Sequence, residues 1–134
     1  MKYLSKKQIL FLHGELIKNF GGIDGLRDEK LLDSAISAPL QTFDGQDLYP
    51  SLLEKAAQLC YGLIKNHPFI DGNKRIGLHA MLVFLKANNF SAECNEKDLI
   101  DLIFRVADGT LTKKDLLNRL AENAKCDWGF ENGN

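Results

Sequence analysis

The segment His67 to Gly77, HPFIDGNKRIG, gathers residue types that could act together on a phosphorylated substrate. His67 carries an imidazole, the side chain best suited to taking up and returning a proton near neutral pH. Asp71 offers the kind of carboxylate that holds Mg²⁺ while phosphate oxygens and water complete its shell. Gly72 permits close approach to the backbone, and Asn73 is a residue type that caps helices. Lys74 and Arg75 stand where an apolar run begins, so their charges join the positive end of a helix whose first N–H groups lack partners. Gly72, Asn73, Lys74 and Arg75 therefore read as a cradle for the oligophosphate of a nucleotide. A zinc site from His67, Asp71 and His79 fits poorly, because the spacing matches no standard ligand set. His13 and His79 read as structural, the first on an amphipathic helix and the second on an apolar one.

The elements that must position these groups are mostly helices. Ser5 with Gln8 forms a capping-box pattern that opens the first, with Ile9, Leu12, Leu16 and Phe20 on one face and Gly21-Gly22 as its stop. A shorter helix spans about Asp28 to Ala38 and ends before Pro39. Leu40 to Pro50 breaks the pattern. Thr42 and Phe43 suit a strand and Asp44-Gly45 a tight turn, which predicts a short hairpin-like flap. Ser51 with Glu54 opens the next helix, carrying apolar residues to Ile64. Asn73 to Asn88 is apolar almost all round and belongs at the centre of a bundle. Helices over about Asn95 to Ala107 and Thr112 to Ala124 complete an all-α bundle of about six helices with one small β element.

The 134 residues, 45% hydrophobic and 26% charged, suit one domain, read as 1–124 with a flexible tail at 125–134. A net charge of -1 argues against a broad nucleic-acid or membrane binder. The helix in TLTKKDLLNRL lacks the basic array expected of a DNA reader. No stretch resembles a signal-peptide core or a membrane span. Three scattered cysteines (Cys60, Cys94, Cys126) suggest neither a disulfide framework nor a metal site, and a soluble, cytoplasmic protein is the expectation.

HPFIDGNKRIG resembles the signature of the Fic/Doc family, written HxFx(D/E)GNGRxxR in its Fic form, and is closer to the death-on-curing (Doc) branch, where Lys replaces the last glycine of GNGR. At typical residue usage the specified positions coincide by chance on the order of 10⁻¹⁰ per start. The resemblance implies a compact Fic/Doc helical bundle. It assigns His67 as the base that deprotonates a target hydroxyl, Phe69 as the loop's anchor and Asp71 as the Mg²⁺ ligand. Gly72, Asn73, Lys74 and Arg75 become the phosphate cradle. Thr42, Phe43, Asp44 and Gly45 fall in the flap that receives a target segment by strand addition.

One departure directs the functional reading. The second Arg of the Fic pattern is Leu78 here, as in death-on-curing relatives, which are understood to deliver the γ-phosphate rather than AMP. The resemblance thus implies a toxin that phosphorylates a Ser or Thr of a target protein, plausibly a translation factor, using Mg²⁺ and ATP or another NTP. Nucleotidyl transfer and a non-catalytic anion-binding or partner-binding module are the alternatives. No Ser or Thr is followed by Glu four residues later, as the family's self-inhibitory helix requires. Any restraint would then come from another chain, and the resemblance implies a separate, Phd-like antitoxin in that role.

Overall fold

The computed structural model describes residues 1–92 and 95–126. Among them are six α-helices in the expected order: α1 (Lys6–Phe20), α2 (Glu29–Ser37), α3 (Leu52–Asn66), α4 (Asn73–Ala87), α5 (Glu96–Ala107) and α6 (Lys113–Asn123). The local signals behave as the sequence suggests. Ser5 and Ser51 each make a reciprocal capping box, with Gln8 and Glu54, while Asp28 and Asn95 cap α2 and α5 through their side chains. A single 3-10 turn, Ala38–Leu40, carries buried Pro39 between α2 and the flap.

The flap is a two-stranded antiparallel hairpin, β1 (Thr42–Phe43) against β2 (Gln46–Asp47). Asp44 and Gly45 both have positive φ, 53° and 78°, as a type I′ turn demands. Its base is tied to the bundle. The buried Lys55 ammonium of α3 donates to Asp47 at 3.2 Å and to the Tyr49 carbonyl, and Lys113 of α6 donates to the Tyr49 hydroxyl and to Gln58.

A second ladder was not expected. β3 (Phe90–Ala92) pairs antiparallel with β4 (Ala124–Cys126), with Ser91 opposite Lys125. The first residues of the expected flexible tail are thus strand, because the end of α6 returns beside the chain leaving α4. Residues 127–134 of that tail, and Cys94, lie outside the described residues.

Helices α3 and α4 form the centre, flanked by α1, α2, α5 and α6. Ala56, Cys60 and Leu63 of α3 and Ile76, Ala80, Met81 and Leu85 of α4 are fully buried. Burial pushes the Cys60 thiol far above its usual range, which leaves it an inert core group. α4 is not apolar to the core on every side, since Val83 is exposed. The two central helices cross closely at Gly77, where a Cβ would sit 2.9 Å from Ile64 Cγ1 and 3.2 Å from the Cys60 carbonyl oxygen. Gly77→Ala should therefore destabilise the protein by about 1–2 kcal/mol, because forced overpacking outweighs the gain of about 1 kcal/mol in helix propensity. Urea denaturation measures it, and a variant as stable as the parent would refute the tight crossing.

Candidate active site

The candidate residues sit where α3 hands over to α4, and the chain between α1 and α2 holds that junction. His67 ends α3 in the left-handed region, φ 51° and ψ 54°, an unfavourable conformation for a residue with a Cβ. Arg27 stabilises it, donating to the carbonyls of His67 at 2.7 Å and Asn66 at 2.9 Å and placing a cation at the negative end of α3. The backbone N–H groups of Arg27 and Asp28 donate to the Pro68 carbonyl, and that of Ile70 donates to the Gly25 carbonyl. Leu26 and Phe69 form a β-bridge between the two loops. The turn throws the His67 side chain outward, where it is exposed and lines a cleft.

Phe69 is the buried anchor of the loop, 1% exposed. Its ring stacks on His13 of α1 at 3.7 Å and 9°, and His13 Nε2 lies 2.8 Å from the Asp71 carbonyl oxygen. His13 is buried and structural, in keeping with its place on an amphipathic helix. Through these two contacts it ties α1 to the loop that carries the candidate residues.

Asn73 departs from the sequence reading. Gly72 is the N-cap of α4, with φ 79°, and no side chain caps this helix. The buried Asn73 amide instead accepts from the Phe69 N–H and donates to the Phe69 carbonyl, each at 2.9 Å. Its side chain is therefore committed to the loop, and only its backbone N–H is left to face an anion. Gly72 also has a different reason. A Cβ there would meet Ile17 at 3.2 Å and His13 at 3.4 Å, so the glycine serves the left-handed cap and the close approach of α1.

The consequence is an open helix mouth, its first N–H groups free of intrahelical or side-chain partners. Two cations flank it, each resting on an exposed ring: Lys74 Nζ lies 5.2 Å from the centre of Phe104 of α5, and Arg75 Cζ 4.2 Å from that of Phe20 of α1. Such contacts contribute about 0.5–1 kcal/mol each at exposed positions and set where the charges stand. Asp71 Oδ1 accepts from the Gly72 N–H at 2.9 Å and Oδ2 from the Ile23 N–H at 3.1 Å, and the side of the carboxylate towards α1 is closed by Gly22.

These groups line one cleft of about 550 Å³ between α1, the loop, α4 and α5. It holds His67, Asp71, Gly72, Asn73, Lys74 and Arg75 together. Leu78, Leu82, Leu99 and Ile103 make its apolar wall, and His79 and Glu96 also face it. Burial, then the Arg75 charge, holds His79 below the usual imidazole range, with Glu96 opposing in part. Thr42, Phe43, Asp44 and Gly45 are exposed and are not among the cleft's lining residues. Sequence reasoning missed Phe20, Arg27, Glu96 and Phe104. Each reaches the site from a different part of the chain, and no local spacing marks it.

Over 87 residues, 65% of this chain and 65% of the other's length, the chain is 41% identical to the toxin Doc of Mycolicibacterium smegmatis. Over 128 residues, 93% of this chain and all of the other, it is 28% identical to the protein kinase doc of Escherichia phage P1. The model of the Fic/DOC family matches residues 3–85. That match runs through α1, α3 and most of α4 and covers well over half of the sequence, so the chain belongs to the Fic/DOC family.

Proposed function

We propose that this protein is a Doc-like toxin that transfers the γ-phosphoryl group of a nucleoside triphosphate, ATP being the reference case, to a Ser or Thr hydroxyl of a target protein. The observation that carries the reading is the convergence of an exposed imidazole, a carboxylate and an uncapped cationic helix end on one cleft of nucleotide size. Leu78, 5% exposed, stands in the cleft where a second Arg would favour AMP transfer. The relative named protein kinase doc, aligned over 93% of the chain, supports the same choice.

The donor set fits Mg²⁺ brought in with a nucleotide. Each Asp71 oxygen accepts one backbone N–H and keeps a lone pair free. Among the described residues no three His, Cys, Asp or Glu side chains group to cage a metal, so an ion at Asp71 would draw its other ligands from phosphate and water. When bound, Mg²⁺ supplies charge neutralisation on the phosphates. The chain's own contribution is positioning. The α4 N–H groups, Lys74 and Arg75 hold the phosphates, and His67 accepts the proton as the hydroxyl oxygen bonds to the γ-phosphorus and the nucleoside diphosphate leaves.

The flap, exposed and pinned at its base, is the proposed docking strand for the target segment. A cytoplasmic setting and an antitoxin as restraining partner follow from the toxin reading; no helix among the described residues is long and apolar enough to cross a membrane. Incubation with a cell lysate and ATP labelled at the α or the γ position tests the proposal. Protein label from γ alone is the expected result. Label from α assigns nucleotidyl transfer, and label from neither, with the fold intact, leaves a passive module.

A further inference from the structure

The two ends of the cleft differ in chemistry. At one lie the helix mouth, Lys74 and Arg75. At the other, one helical turn further along α4, His79 lines the cleft together with Glu96, which opens α5 at the end away from Phe104 and whose charge reaches the His79 ring. Neither the Glu96 carboxylate nor the His79 ring has a hydrogen bond or ion pair among the described residues. His79 is partly buried, and the Glu96 carboxylate, exposed in the first turn of α5 at the edge of the apolar wall, is an acceptor with no protein donor among the described residues. In the sequence neither stands out from an ordinary helix residue.

We propose that Glu96 and His79 form the nucleoside-recognising end of the cleft, where Glu96 accepts a hydrogen bond from an N–H or O–H group of the nucleoside. The inference rests on the nucleotide reading above and adds the direction in which the ligand lies. A carboxylate repels phosphate oxygens and the helix mouth attracts them, so the two ends orient a nucleotide with its phosphates at Lys74 and Arg75. Leu82, Leu99 and Ile103 between them offer the flat apolar contact a base or sugar needs. The neutral His79 ring, kept so by burial and by Arg75, presents one donor and one acceptor beside Glu96. Two sources of donor share this chemistry, the amino edge of a base and the hydroxyls of ribose.

Calorimetric titration of the full chain with Mg²⁺ plus tripolyphosphate, ATP, purine riboside triphosphate (which lacks the amino group) or 2′-deoxy-ATP tests it. The parent protein should bind ATP about tenfold or more tighter than tripolyphosphate, which corresponds to about 1.4 kcal/mol. Glu96→Leu should remove that preference while tripolyphosphate binding is unchanged or tighter, and Glu96→Gln should keep part of it. His79→Leu should lower the same ratio without touching tripolyphosphate. The analogue that loses affinity in the parent but not in Glu96→Leu identifies the donor. Thermal melting checks that each variant is folded.

An unchanged ratio in Glu96→Leu overturns the inference, as does tightening of ATP and tripolyphosphate alike, which would put the phosphates at the Glu96 end. A parent that binds tripolyphosphate as well as ATP overturns this inference alone. A parent that binds neither overturns the nucleotide reading and this one with it.

Discussion

His67→Ala is expected to lower the proposed phosphoryl transfer by about 10²- to 10⁴-fold, the usual contribution of a positioned base, while Mg·ATP binding should stay within about twofold of the parent. The separation follows from where the residue sits. The imidazole is exposed at the cleft, whereas the groups proposed to hold the phosphates belong to the start of α4 and to two side chains resting on other rings. Stability should change little, within about 0.5 kcal/mol, because the truncated ring packs against no core and the Arg27 bonds go to backbone carbonyls that alanine retains. Single-turnover transfer from γ-labelled ATP and a parallel binding titration measure the two quantities. Equal transfer rates in variant and parent would remove His67 from the chemistry. A parallel loss of ATP binding would make it a binding residue instead.

Asn73→Leu acts through the fold. Its amide is buried and satisfies both the N–H and the carbonyl of Phe69, which lies at the core of the loop. Leucine keeps the branched shape, though it is bulkier, and offers no partner for either group, and each buried polar group left unsatisfied costs about 1–3 kcal/mol. The expected loss is about 2–5 kcal/mol, a large share of a domain's total stability, with the melting temperature falling on the order of 10 °C. Transfer activity should fall even well below the melting temperature, because the same loop places His67 and Asp71. Leu120→Ala on α6 is the control. It empties a core site at a comparable cost of about 2–5 kcal/mol but leaves the loop untouched, so activity per folded molecule should persist. Thermal denaturation and transfer assays at low temperature separate the two variants. Equal activity in both would deny the Asn73 clamp its role in the site.

The helices were legible because their signals are local. Ser5 meets Gln8 and Ser51 meets Glu54 within a single turn, and the apolar stripes of α1 and α3 repeat at the helical period. The flap was legible for the same reason, since Asp44-Gly45 needs only its own backbone to turn. The β3–β4 ladder was not. It joins strands more than thirty residues apart, and three residues each carry too little pattern to register against the helices around them.

For the candidate site, residue order alone picked out His67, Asp71, Lys74 and Arg75, and the Fic/DOC membership with them. A signature segment is contiguous, and helix polarity fixes which end of α4 is positive before anything packs. Folding decided the rest. His13 reaches Asp71 across 58 positions, and Asn73 turns away from its expected cap to grip Phe69. Phe20, Phe104 and Glu96 enter the cleft only because α1 and α5 pack on either side of α4. The physical reason is that a buried polar group takes whichever partner the packed chain brings within hydrogen-bonding distance, and that choice is made by the whole bundle rather than by neighbours in sequence.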